Sequence, residues 1–408
     1  MIDTECIEHK EYELEVISPI HIGSGESMRF DDCILTSNGR VCFIDQRKWR
    51  GVMATNKNLI KKWSDNLYNG DEGMTTTEWI RKNIPGLQKG DKGKLDEFIR
   101  SVTYASAKRS KAPKTNANKG EFQCQMKDVN GKPIIPGSTL KGVIHTSILF
   151  HELKTHQLEY AQQWNNIKSL IDKSLIDHAH NANSLKKDIH KVTERIETKA
   201  FGKIPYQKGD KEDDSLHSIM KGIQVSDAII QGDDVKDTVI LQKYDAFALE
   251  DDDGNRRIEK KPIPMHRECI PKGRRFRFNM TIDKEILAHG GISSLDEIWS
   301  WVKEFTDFGL ELQRGVFGET YRTEFRDMDD ATMVLGAGTG FLSKTVFCAL
   351  APELGEAQEY LRNMLQTEFP NHKHEWKDKF IAPRTLKLAV SNKSQIMGLA
   401  GVREVPVC

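Results

Sequence analysis

Leu335-Gly336-Ala337-Gly338-Thr339-Gly340-Phe341-Leu342-Ser343-Lys344-Thr345 is the stretch on which the reading of this chain turns. Three glycines at alternate positions let a backbone take positive φ and approach another group closely, and Ser343, Lys344 and Thr345 set two hydroxyls and a cation just downstream. Such chemistry suits a phosphate. It is not the loop of a nucleoside-triphosphate enzyme, because three residues separate Lys344 from Gly340, whereas that loop needs Gly, Lys and Ser or Thr in succession. Nor is it a dinucleotide fingerprint, since Phe341 stands where the third glycine belongs. A sugar-phosphate backbone is the better match.

Two other segments share this character. Ser18-Pro19-Ile20-His21-Ile22-Gly23-Ser24-Gly25-Glu26 follows the alternating strand residues Tyr12, Leu14 and Val16, and reads as a strand running into a glycine loop. In Ile135-Pro136-Gly137-Ser138-Thr139-Leu140-Lys141-Gly142, Ser138 has the character of a helix N-cap, with Lys141 in the first turn. A helix start offers free N–H groups to an anion. One glycine loop alone is ordinarily a tight turn; three, each beside Lys or His, point to a shared role.

These three segments, in this order, resemble the RAMP superfamily of CRISPR-associated proteins, and most of all the type III-A Csm effector subunit that sits at the crRNA 3′ end. Ile223-Gln224-Val225-Ser226-Asp227, Glu268-Cys269-Ile270-Pro271-Lys272-Gly273 and Met397-Gly398-Leu399-Ala400 carry the likeness on, so that it spans from about Tyr12 to the C-terminus. The resemblance implies a ferredoxin-like or RRM-like palm with helical insertions and a basic hairpin as thumb. RNA would be held by the glycine loops through phosphate and ribose, with little aromatic stacking.

Composition fits an intracellular globular protein. The 408 residues suffice for two domains or one elaborated one. Met1 to Lys10 lacks the basic and apolar regions of a signal peptide, and no run of about 18 apolar residues predicts a membrane span, so a cytoplasmic location is expected. Seven scattered cysteines without a Cys-x-x-Cys pair read as reduced thiols, and neither a metal site nor a cofactor is expected.

With 60 basic and 60 acidic residues the chain is neutral, so distribution decides. Phe98 to Gly120 has no acid but contains Arg100, Lys108, Arg109, Lys111, Lys114 and Lys119, which reads as a flexible basic loop. Arg256 to Arg277, which includes Arg274 and Arg275, carries nine basic residues against Glu259 and Glu268, and is the thumb expected by resemblance. A basic run is ordinarily a solvated face; the resemblance favours RNA contact for both.

Periodicity gives an α+β chain. Tyr12–Ile17 and Phe276–Ile282 alternate as strands, and Asn38-Gly39 between apolar pairs predicts a type I′ hairpin. Trp49–Trp63 and Thr76–Ile84 read as helices, the latter capped by Thr76 or Thr77; Val143–Phe201, free of Gly and Pro, as two or three helices broken near His178–Asn183; Leu295–Leu310 as an amphipathic helix. A mobile loop is expected from Phe201 to Ser218. The expected division is 1–142, the first part of the palm with its basic insertion; 143–222, a helical insertion; 223–285, strands and thumb; and 286–408, the region of the C-terminal glycine loop.

The expected RNA-binding residues are His21, Gly23, Ser24, Gly25, Gly137, Ser138, Lys141, Arg274, Arg275, Arg277, Gly336, Gly338, Gly340, Ser343 and Lys344. The first functional expectation is a non-catalytic crRNA-binding subunit that caps the effector filament, with neighbouring backbone subunits, nearby target RNA and host nucleases as partners. The second is a metal-independent endoribonuclease processing precursor crRNA, with His21 as base and Lys141 or Lys344 stabilising the phosphorane.

Overall fold

Phe276, Phe278, Met280 and Ile282 do alternate into a core: they lie on the strand Arg275–Asp283 and are almost wholly buried, while Arg275, Arg277 and Asn279 face outward. In this computed structural model, residues 6–36, 38–69, 74–87, 92–109, 120–176, 182–205, 215–232, 237–390 and 393–406 are described. Arg275–Asp283 pairs antiparallel with Ile7–Val16, matching Tyr12 to Phe278 and Leu14 to Phe276 on the buried face and Glu13 to Arg277 on the other. A shift of one residue would bury the charged set.

The elements around this pair form a ferredoxin-like unit. In chain order they are the strand Ile7–Val16, the helix Gly137–Thr155, the short strands Ile223–Val225 and Ala228–Ile230, the strand Arg275–Asp283, the helix Leu295–Phe317 and the strand Leu399–Glu404. Leu399–Glu404 pairs with Ile7–Val16, which pairs with Arg275–Asp283, which pairs with both short strands, so the β-α-β-β-α-β order becomes 4-1-3-2 in space. Ser294 caps the second helix by accepting from the Glu297 N–H, and Ile298, Val302, Phe305 and Leu310 form its buried side. This is the expected palm.

A second sheet is built from the long hairpin Thr238–Glu250 and Arg256–Cys269 with strands drawn from two distant parts of the chain. Thr103–Arg109 and Glu121–Gln125 join it in parallel, Gly23–Arg29 and Arg40–Ile44 extend its edges, and Thr385–Val390 pairs with Gln242 to Phe247 in the middle of Thr238–Glu250. Residues 23–125, read above with the palm, thus supply strands to this sheet. On its edge, four helices between Gln46 and Val102 enclose a separate core in which Trp49, Trp63 and Trp79 meet edge to face.

Several local expectations are corrected. Trp49–Trp63 is two helices, Gln46–Ala54 and Lys57–Tyr68, broken where Asn56 caps the second. Thr75, not Thr76 or Thr77, caps the next helix through a capping box with Glu78. The Asn38-Gly39 hairpin forms but is not type I′: Gly39 alone of the pair has positive φ. Phe98–Gly120 is not one loop, since Lys92–Val102 is helix and Thr103–Arg109 strand; residues 110–119 lie outside the described residues. Val143–Phe201 supplies three helices, Gly137–Thr155, Ala161–Ile176 and Ala182–Phe201. Of the expected break at His178–Asn183, Ala182 and Asn183 are already helical and 178–181 lie outside the described residues. Of the expected loop Phe201–Ser218, Phe201 ends a helix, Ser215–His217 is a 3-10 turn and 206–214 lie outside the described residues. No helix among the described residues is long and apolar enough to cross a membrane.

Candidate nucleic-acid interface

The glycine segments, separated by hundreds of residues, come together at the junction of the two sheets. Ala337 N–H donates to the His21 carbonyl at 2.9 Å, Leu335 N–H to Gly398 at 2.8 Å, and Gly398 N–H to Pro19 at 3.0 Å. Across a cavity of about 230 Å³, Gly142, Val143 and Thr146 of the helix Gly137–Thr155 face Gly336, Thr339 and Ser343. Gly336 has φ +58°, and a Cβ there would overlap the His21 carbonyl oxygen; one at Gly338 would overlap that of Met397. These two glycines allow backbone to approach backbone. The close approach read above as room for a ligand is taken by the chain itself.

The first glycine segment is not a loop. Ile20 bridges to Ile270, and Gly23–Arg29 is an edge strand of the second sheet, with an irregularity between Gly23 and Ser27 where Gly25 has φ +85°. Ser24 accepts from the Glu26 N–H at 3.3 Å. The helix start is also corrected: Pro136 occupies the cap position, so Ser138 is already helical and stays exposed. Pro136 favours an early start because its fixed φ suits the junction. Gly137 N–H donates to Asp227 Oδ1 at 2.7 Å and Lys141 Nζ to the Ile223 carbonyl at 2.6 Å. An internal carboxylate thus serves the helix end, and burial holds the Lys141 ammonium below its ordinary pKa.

His21 is buried, its Nδ1 2.6 Å from the Glu268 carbonyl. A carbonyl only accepts, so Nδ1–H donates and Nε2 carries the lone pair. Burial lowers the pKa of the imidazole, opposed by that hydrogen bond, and the ring is neutral at pH 7. No hydrogen bond joins it to Lys141 among the described residues. The side chain of Glu268 is itself a node, accepting from Gln125 N–H at 3.0 Å and Lys127 Nζ at 2.6 Å.

Arg256–Arg277 divides in two. Arg256–Cys269 is the second arm of the long hairpin, as the thumb expectation requires, but much of its charge is internally paired: Arg256 with Glu319, Arg257 and Lys261 with Glu259. Arg275 and Arg277 belong to the palm, beside Glu13, Glu15 and Glu11 at 3.6 to 3.8 Å, and Arg274 passes its carbonyl to Val16 N–H. Other cations lie nearer the glycines. Ala337 packs on Leu241, Cys269 and Ala389 of the second sheet and on Met397, and the surrounding positions carry Lys243, Arg267 and Lys387, with Lys344 one helical turn past Gly340. The sequence reading passed over Lys243 and Lys387. Their signal was a lone lysine inside each strand pattern, Leu386-Lys387-Leu388 being the clearer.

The family model described as the RAMP superfamily matches residues 13–343. The chain is 23% identical over 348 residues to "CRISPR system Cms protein Csm5" of Mycobacterium tuberculosis (strain ATCC 25618 / H37Rv), covering 82% of each, and 23% identical over 351 residues to the protein of that name from Streptococcus thermophilus, covering 82% and 79%. Among solved structures, it is similar to a chain of a "Csm-crRNA-target RNA ternary complex in type III-A CRISPR-Cas system", with TM-score 0.62 and 19% identity over 97% of this chain and 100% of that one. It is also similar to the crystal structure of T. onnurineus Csm5, with TM-score 0.53 and 20% identity over 95% and 99%.

Proposed function

The chain belongs to the RAMP superfamily, and on that premise we propose that it is a crRNA-binding subunit of a type III-A Csm effector complex. It caps the filament at the crRNA 3′ end and contributes to maturation of that end without cutting RNA itself. The observation that carries this reading is the meeting of residues 18–25, 137–143 and 335–345 at one junction between two sheets. A seam that draws on the beginning, middle and end of a chain is a rigid platform, and rigid backbone placed against phosphates binds RNA with little regard to sequence. The names of the relatives and the complex that holds the similar chain support the same partners: crRNA, adjacent backbone subunits and target RNA nearby. Recruitment of host nucleases completes the proposal. The four-part division of the chain, with thumb at 223–285, and the RNA contacts of His21, Gly23, Ser24, Gly25, Ser343 and Lys344 belong to this reading as well.

The nuclease alternative needs His21 to act on one phosphate together with Lys141 or Lys344; Lys141 is held on the Ile223 carbonyl, which leaves Lys344 as the cation it would use. One incubation separates the two: end-labelled repeat-spacer RNA with purified protein, with and without EDTA, run on native and denaturing gels. A shifted, uncut RNA is the expected outcome. Discrete cleavage that disappears in His21→Ala would make the protein a processing nuclease.

A further inference from the structure

Many cations among the described residues have a carboxylate within 4 Å, but one half-buried cluster holds more cations than carboxylates. Lys243 and Asp245 lie on the same side of one strand; Lys387 is the register partner of Asp245 on the next strand, and Arg267 that of Leu241 on the other neighbour. Lys344 reaches the same place from the helix Leu342–Leu350. All four cations are half-buried, yet among the described residues Asp245 is the only carboxylate ion-paired with any of them, to Lys243 at 3.1 Å. Lys387 and Lys344 have no side-chain hydrogen bond or ion pair among the described residues. Burial, then the nearby Lys243 and Arg267, push the Lys387 ammonium below its ordinary pKa.

Like charges gathered at reduced exposure destabilise a fold unless something answers them. Here four cations face one carboxylate, an excess of three positive charges by that count. Gly340 adds a second observation: a Cβ there would overlap Lys387 Nζ, so its bare Cα lets the ammonium pass beside the glycine segment. Gly340 is not in the left-handed region, so backbone conformation does not require the glycine.

We infer that Lys243, Arg267, Lys344 and Lys387 form a seat for the phosphodiester backbone of single-stranded RNA, with Gly340 keeping its central cation in place. This rests on the RNA-binding reading above and relocates its ionic contacts from Lys141 and the Arg274–Arg277 strand to the second sheet. Recognition is by charge and indifferent to base.

The test uses the full chain in two arms. In the first, sodium sulfate is titrated against sodium chloride at constant ionic strength, and the response read is the rise in melting temperature beyond the general stabilisation that sulfate gives any fold; it should be present in the wild type and in Arg277→Gln but not in Lys387→Met. In the second, affinity for single-stranded RNA is followed against salt, and Lys387→Met should lose about 0.7 of a unit of log–log slope, the share of one phosphate contact. Gly340→Ala keeps the charge and pushes aside the tip of a flexible side chain, so it should move the response and slope in the same direction as Lys387→Met but by less; Lys387→Gln serves if Lys387→Met fails to fold. A wild-type sulfate response and slope in both variants would overturn the seat while leaving RNA binding intact. A sulfate response that Lys387→Met abolishes, in a wild type that binds no RNA, would uphold an anion seat and overturn the RNA reading. No sulfate response and no RNA binding in the wild type would overturn both.

Discussion

The outer face of the palm and one patch of the second sheet use basic residues in opposite ways. On the outer face of the palm, Lys10 lies within 4 Å of Glu8, Asp296 and Glu404, Arg403 pairs with Glu13, and Arg275 and Arg277 stand beside the glutamates of the neighbouring strand. On the second sheet, Lys243, Arg267 and Lys387 share Asp245. Arg275, Arg277 and Arg403 are exposed, but the palm cations form a self-satisfied ladder of the kind that contributes little to stability and leaves little charge for a ligand. Charge available to RNA depends on what surrounds a cation more than on how many occur in a run.

The largest effect expected on this contrast comes from making an unpaired cation where the second sheet has a paired one. Glu268→Gln would leave Lys127, only 11% exposed, without its carboxylate, and should lower stability by roughly 3 kcal/mol in urea denaturation. A loss below about 1 kcal/mol would show that the pair is solvated and the contrast overdrawn. Next comes the joint between the sheets. Gly336→Ala places a Cβ against the His21 carbonyl at φ +58° and should cost about 2 kcal/mol, read from the same denaturation curves.

Protonation tests the joint without mutation. His21, His145 and His266 are all held by burial below their ordinary pKa. The folded state therefore resists the proton that the unfolded chain accepts, so their contribution is complete above about pH 6.5 and declines as pH falls below it. Melting temperatures should drop across that range, and less steeply in His21→Gln. The smallest effect belongs to the palm ladder: Arg277→Gln should change stability by less than about 0.5 kcal/mol and leave the salt dependence of RNA binding unchanged. A shallower slope in that variant would return RNA contact to the palm.

Much of the fold was legible. The strand Arg275–Asp283 was visible because alternating Phe276, Phe278, Met280 and Ile282 must share one face, and the helix Leu295–Phe317 because Ile298, Val302 and Phe305 recur at helical spacing. Local signals erred where neighbours competed for one role. Ser138 has cap chemistry, but Pro136 starts the helix two residues earlier; Thr75 outranks Thr76 because Glu78 completes its capping box. The site was half legible. The glycine segments announced themselves, while their use did not, since a glycine facing a ligand and one facing the His21 carbonyl are written alike.

The sequence by itself determined the α+β class, the elements of the palm, the family resemblance through three glycine segments and the exclusion of a nucleotide loop, because all of these depend on spacing between near neighbours. Only the tertiary structure decided which cations are free. Asp245 and Lys387 are 142 positions apart (387 − 245) and become partners through strand register alone, whereas Arg275 and Arg277 find their glutamates on a strand more than 250 residues away. Pairing of charges is a property of distance in space, and the chain encodes it only through the sheets it folds into.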